Sequence, residues 1–151
     1  MKKHYALFLV LASIIAACSK SNDVAPDPGT QVAGTYEMTN IRYDSAGITL
    51  YNYPLPLTVG SESLSGTIVA RRDSASVVYA TYTIKQTGES DFTDAFGQLK
   101  IQGSAAPFDL YYQTTKVGTA DGKNFTVDYS FTDGQGITYR QVFSGTKSQG
   151  N

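Results

Sequence analysis

Phe125-Thr126-Val127-Asp128-Tyr129-Ser130-Phe131-Thr132, followed by Asp133-Gly134-Gln135-Gly136 and then by residues 137–143, is the stretch that decides the fold. Phe125, Val127, Tyr129 and Phe131 alternate with Thr126, Asp128, Ser130 and Thr132. A period of two sustained this long predicts a strand with one face buried and the other in water. Ile137, Tyr139 and Phe143 resume the alternation beyond the glycine-rich segment. Glycine accepts the positive φ that tight hairpins need, so the two runs predict an antiparallel hairpin.

Working outward, Asp121-Gly122 predicts a second turn and Arg72-Asp73-Ser74-Ala75-Ser76 a third. Between such turns the chain is rich in Tyr, Phe, Val, Ile and Thr, which suit a pleated, half-buried surface. Further strands are expected over 34–44, 48–53, 64–72, 76–86, 96–102 and 109–117, about eight in all with the two above. No stretch beyond the N-terminal segment shows sustained helical periodicity. The expected fold is therefore all-β, an antiparallel up-and-down meander of about eight strands. Closing that meander into a barrel removes exposed edges. A two-sheet sandwich is the alternative. The bulky inward face of 125–131 leans towards a filled or narrow interior.

The N-terminus carries a different kind of signal. Lys2 and Lys3 precede an apolar run over 5–17. That run is too short for a spanning helix, which needs about 20 residues, and reads as a secretory signal peptide. It ends in Ile15-Ala16-Ala17-Cys18, which contains the only cysteine of the chain. An aliphatic residue, two small residues and Cys resemble the lipobox of bacterial lipoproteins. That resemblance implies lipid attachment at Cys18 and signal cleavage between Ala17 and Cys18. Several acyl chains on one residue anchor firmly, at about 0.8 kcal/mol per buried methylene. Ser19, rather than Asp, follows the cysteine; the resemblance then implies the outer membrane, with the periplasmic or cell-surface face left open.

The expected organisation is a signal peptide over 1–17, a lipidated tether over 18–31, a barrel domain over 32–147 and a disordered tail over 148–151. Ser, Asn, Asp, Pro and Gly dominate 19–31, a composition that buries too little to offset ordering entropy. As a flexible chain this tether spans about 20 Å.

At the start of the domain stands Val32-Ala33-Gly34-Thr35-Tyr36. It resembles the Gly-x-Trp opening of lipocalins, with Tyr36 in place of Trp. The final strand carries Arg140 within Thr138-Tyr139-Arg140-Gln141-Val142-Phe143. In lipocalins a basic residue of the last strand packs over the opening aromatic ring. The resemblance, which extends to the single meander, implies that Tyr36 and Arg140 form a barrel-end pair and that the barrel binds a small apolar ligand.

Composition narrows the chemistry. His4 is the only histidine and leaves with the signal, while Cys18 is committed to lipid. What remains has no means of building Ser-His or Cys-His nucleophiles, or imidazole and thiolate metal sites. No enzyme activity, cofactor or metal is expected. Glu89-Ser90-Asp91-Phe92-Thr93-Asp94 is the densest acidic group. It lacks the spacing of a calcium loop and reads as a solvated turn. The chain holds 12 basic and 13 acidic residues with no basic cluster, so no nucleic-acid partner is expected. Arg71-Arg72 reads as a soluble hairpin shoulder.

Tyrosine is frequent, with 11 in the chain. Its ring and polar tip suit both cores and contact surfaces. Tyr51 and Tyr53 stand out as rim contacts, because Pro54 and Pro56 confine residues 50–57 to edge or loop geometry. The leading expectation is a lipid-anchored module binding a small apolar ligand in the cell envelope. The alternative is a solid-core accessory or inhibitor lipoprotein working through an envelope protein partner.

Overall fold

The computed structural model describes residues 25–148. The expected signal peptide, the Ala17–Cys18 cleavage point, the lipid attachment at Cys18, most of the tether and residues 149–151 lie outside that range. A short helix, α1 (Pro28–Val32), leads into ten strands: β1 (Gly34–Ser45), β2 (Ile48–Pro54), β3 (Leu57–Val59), β4 (Glu62–Ser74), β5 (Val77–Gln86), β6 (Phe92–Gln102), β7 (Phe108–Tyr112), β8 (Thr115–Ala120), β9 (Asn124–Thr132) and β10 (Thr138–Lys147). All pairings are antiparallel, in the order β2-β1-β10-β9-β8-β7-β6-β5-β4-β3. β1 also pairs with β4, from Gly34↔Ala70 to Glu37↔Thr67, and this closes eight strands into an up-and-down barrel.

β2 and β3 stand outside that ring. Beyond Glu37, β1 leaves β4 and pairs instead with β2, from Asn40↔Pro54 to Ser45↔Ile48. β3 occupies the corresponding edge of β4 through Leu57↔Leu64 to Val59↔Glu62. The wall is therefore extended at one end of the barrel, and Leu55, between the two extra strands, is buried.

The number of strands in the closed ring agrees with the expected eight, but two further strands lie outside it and the membership differs. The segment expected as one strand over 109–117 is two, β7 and β8, joined at Gln113-Thr114. Gln113 takes the positive φ (54°) of that turn, a place where sequence would lead one to expect Gly or Asn. Conversely, 48–53 is a strand but not a member of the ring, and β3 was not anticipated.

The helix corrects the tether's inner boundary. Asp27 caps α1 by accepting from the Thr30 backbone N–H at 2.9 Å, and Pro28 supplies a preset φ at the first turn. The same carboxylate accepts from Arg72 of β4, Nε at 3.2 Å and Nη2 at 3.1 Å. These bonds hold the Asp27 carboxyl down at about 2. The Gly29 N–H donates to Ala75 O at 2.8 Å, and a Cβ at Gly29 would lie 2.1 Å from Ser74 O. Val32 is fully buried. α1 therefore closes the end of the barrel opposite the extended wall.

Packing is dense at this closed end. Tyr36, Ile68, Val78, Leu99, Phe108, Leu110 and Phe125 are buried together, with the Tyr36 and Phe125 rings 5.2 Å apart. Along β9 the inward face runs outward from this base: Phe125 is 0 % exposed, Val127 1 % and Phe131 44 %. The filled interior expected from 125–131 holds for the first half of that strand only.

Candidate functional site

The β7–β8 hairpin is shorter than the strands on either side. β7 pairs with β6 only from Lys100↔Tyr111 to Gln102↔Asp109, and β8 pairs with β9 only from Gly118↔Val127 to Ala120↔Phe125. Above the hairpin tip, residues 92–98 of β6 and 128–132 of β9 have no strand beside them on that side among the described residues. The wall is notched there. Behind the notch lies a recess of about 420 Å³.

Its floor is apolar: Leu99, Val117 and Val127, with Phe96 and Tyr82 stacked at 4.8 Å. Phe143 supports both rings from β10, at 4.8 Å from Tyr82 and 5.2 Å from Phe96. Tyr112, Thr115, Tyr129, Ser130 and Phe131 form the sides towards the notch. Asp94 and Ala95 also line it, and Asp94 is its only charged residue among those described. Asp94 pairs with Tyr82 in the β5–β6 register and shares a strand face with Phe92 and Phe96.

A continuous aromatic run crosses the extended wall into this recess. Tyr53 stacks on Tyr51 at 5.7 Å, Tyr51 on Tyr43 at 5.6 Å and Tyr43 on Tyr139 at 6.0 Å. Tyr139 stacks on Phe131 at 5.1 Å and Phe131 on Tyr129 at 6.2 Å. Register explains the run, because Tyr43↔Tyr51 and Tyr139↔Phe131 are direct cross-strand partners. Two hydroxyls are fixed: Tyr129 donates to Gln141 Oε1, and Tyr139 donates to Asp133 Oδ2 at 3.2 Å. Burial, followed by the nearby charge of Asp94, pushes the Tyr82 phenol up to about 12. Burial first and Asp94 second raise Tyr129 as well, and burial raises Tyr51 and Tyr139. The mouth thus presents neutral phenols and ring edges, with the Asp94 carboxylate in the lining and Asp133 bonded to Tyr139 beyond it.

Tyr51 and Tyr53, singled out as rim residues, both belong to this aromatic run; Tyr53 is exposed and Tyr51 half-buried. Tyr36 and Arg140 do not meet. Tyr36 lies opposite Lys147, whereas Arg140 lies opposite Asp44, farther along the same β1–β10 ladder. Arg140 sits on the opposite face of β10 from Phe143, bonded to Asp128 at 2.6 and 2.8 Å and near Asp44 at 3.7 Å. The cation over Tyr36 is Lys147, with Nζ 5.7 Å from the ring centroid and 3.3 Å from Gln31 O. Arg71 and Arg72 are shoulder residues with partners: Arg72 holds Asp27, and Arg71 pairs with Asp73 and lies 5.6 Å from the Tyr79 ring.

The acidic stretch 89–94 is only partly a turn. β6 begins at Phe92, so Asp94 is a strand residue. Phe92-Thr93-Asp94-Ala95-Phe96 carried the signal in plain view: period two places Asp94 on one face with two Phe. Among the described residues no three His, Cys, Asp or Glu side chains gather as a metal site.

No protein-family model matches the chain, and no curated protein matches it. Among solved structures it is similar to a de novo designed fluorescence-activating β-barrel, at 12 % sequence identity and a TM-score of 0.37. That match covers 81 % of this chain and 98 % of the design.

Proposed function

We propose that this protein is a lipid-anchored envelope lipoprotein whose barrel binds one small, largely apolar ligand and performs no catalysis. The observation that carries the reading is the recess of about 420 Å³, aromatic-lined and notched open, standing above a solidly packed base. Ligand sites are concave, mostly apolar and supplied with few polar groups, and their volumes begin at about 300 Å³. A ligand of about 20 non-hydrogen atoms binding at about 0.3 kcal/mol per atom has a Kd of roughly 10–100 µM. The lipocalin resemblance supports the same reading, with Lys147 rather than Arg140 over the opening aromatic. Anchoring rests on the lipobox resemblance at Cys18, and an outer-membrane address on Ser19.

The test is fluorescence titration with diphenylhexatriene, a neutral apolar probe that brightens out of water. Saturable brightening by the protein, abolished in Thr115→Trp, which fills the notch, supports the reading. No brightening at protein concentrations up to the millimolar range overturns it. For the anchor, incorporation of an alkynyl fatty acid in a bacterial host, lost in Cys18→Ser, is the expected result.

A second reading has its own observation. The free edges of β6 and β9, with Phe92 and Phe131 exposed beside them, suit contact with a partner protein. Under that reading the same notch receives protein backbone and diphenylhexatriene does not bind.

A further inference from the structure

We propose that the ligand carries a positive charge, and that the recess takes an organic amine or quaternary ammonium on an aromatic or apolar body, with Asp94 as its counter-ion. This inference rests on the small-ligand reading above and adds the chemical class.

Among the described residues, Asp94 is the only charged one lining the recess. Its situation differs from that of every other described aspartate. The others are held by an arginine, a lysine or the backbone amides of their own turn. Asp94 has no such partner among the described residues; its carboxylate accepts the N–H of the adjacent Ala95, at 2.8 Å, and lies close enough to the neutral Tyr82 hydroxyl to raise that phenol. It is also surrounded by the groups that favour cations. Phe92 and Phe96 flank it along the strand, Tyr82 faces it across the ladder, and Tyr129 feels its charge. Aromatic faces attract ammonium groups electrostatically, at exposed sites as well as buried ones. The phenols stay protonated at neutral pH, so they offer oxygen lone pairs without adding charge. Among the described residues no lysine or arginine lines the recess to receive an anion.

An inward-pointing charge can also serve to keep a free strand edge from pairing with another chain. The experiment separates the two roles. Diphenylhexatriene, its trimethylammonium derivative and its propionic acid derivative share one fluorescent body and differ in charge. The expected result is at least tenfold tighter binding of the ammonium probe than of the neutral one, with the propionate weakest. Asp94→Asn should bring the ammonium probe down to the affinity of the neutral one, and Asp94→Lys should turn the preference towards the propionate. Equal binding of the ammonium and neutral probes, unaltered in Asp94→Asn, overturns the charge assignment and leaves the small-ligand reading standing. An Asp94→Asn protein that self-associates while its probe ratios stay those of wild type also overturns it and gives the carboxylate to edge protection. Failure of all three probes to bind removes the small-ligand reading, and this proposal with it.

Discussion

At Tyr36 the ring and the hydroxyl are satisfied by different parts of the chain. The ring packs on Phe125 under Lys147, and the hydroxyl donates to Val32 O in the closing helix. Tyr36→Phe leaves that buried carbonyl without its partner and should cost about 1–2 kcal/mol in urea unfolding. Tyr36→Ala also opens a cavity and should cost about 3–5 kcal/mol, by analogy with other large aromatics. Burial, and then the charge of Asp121, hold the Tyr36 phenol up at about 12, against an ordinary value of 10.0. Tyr82 stands equally high. A raised folded value means the native state holds its proton more tightly than the unfolded chain does. Stability from these two phenols is therefore complete below pH 10 and falls as pH rises through about 12. Phenolate absorbance should show a late-titrating pair, and urea midpoints should fall over the same window. Residue pairing was the least legible level. Alternation assigns a face, and Phe143 inward already places Arg140 outward, three residues away. The seven-residue step from Arg140 to Lys147 is a matter of register, and only the β1–β10 ladder fixes it.

The elements read best were those with a two-residue period bounded by glycine, β9 and β10 above all. The errors have local physical causes. The β7–β8 turn is made by Gln113 at positive φ, without Gly, Asn or Pro to announce it. The helix α1 lies in a segment whose composition predicts a tether. Its order comes from contacts with the barrel that no local pattern encodes: Asp27 with Arg72, Gly29 against Ser74 and Val32 in the core. Gly29→Ala forces a Cβ to within 2.1 Å of a backbone oxygen, so helix or turn must move. Hydrogen exchange over residues 27–34 should quicken in that variant while β9 and β10 keep their protection. Acid should loosen the same contact. The depressed Asp27 value stabilises the docked helix above the unfolded carboxyl value of 3.8, and that contribution disappears as pH falls through about 2. The Thr30 amide resonance should report the change, and Arg72→Gln should move it to higher pH.

Across the whole molecule, the meander and its closure followed from turn spacing and the need to remove edges. The division into a packed base and an open mouth did not. Alternation cannot tell a side chain that fills a barrel from one that lines a recess, and Phe125 and Phe131 share one face of one strand. What separates them is the short β7–β8 hairpin, which ends the wall halfway up. The length of the hairpin next to β9 therefore decides whether the aromatic face of that strand is core or recess lining. The binding claim depends on that division, and native mass spectrometry of the protein purified without denaturation tests it most directly. The account predicts a reproducible extra mass of a few hundred daltons, consistent with the recess volume, lost on denaturation and absent from Thr115→Trp. A native mass equal to the denatured one in both proteins, unchanged after incubation with neutral, cationic and anionic aromatic compounds, would contradict it.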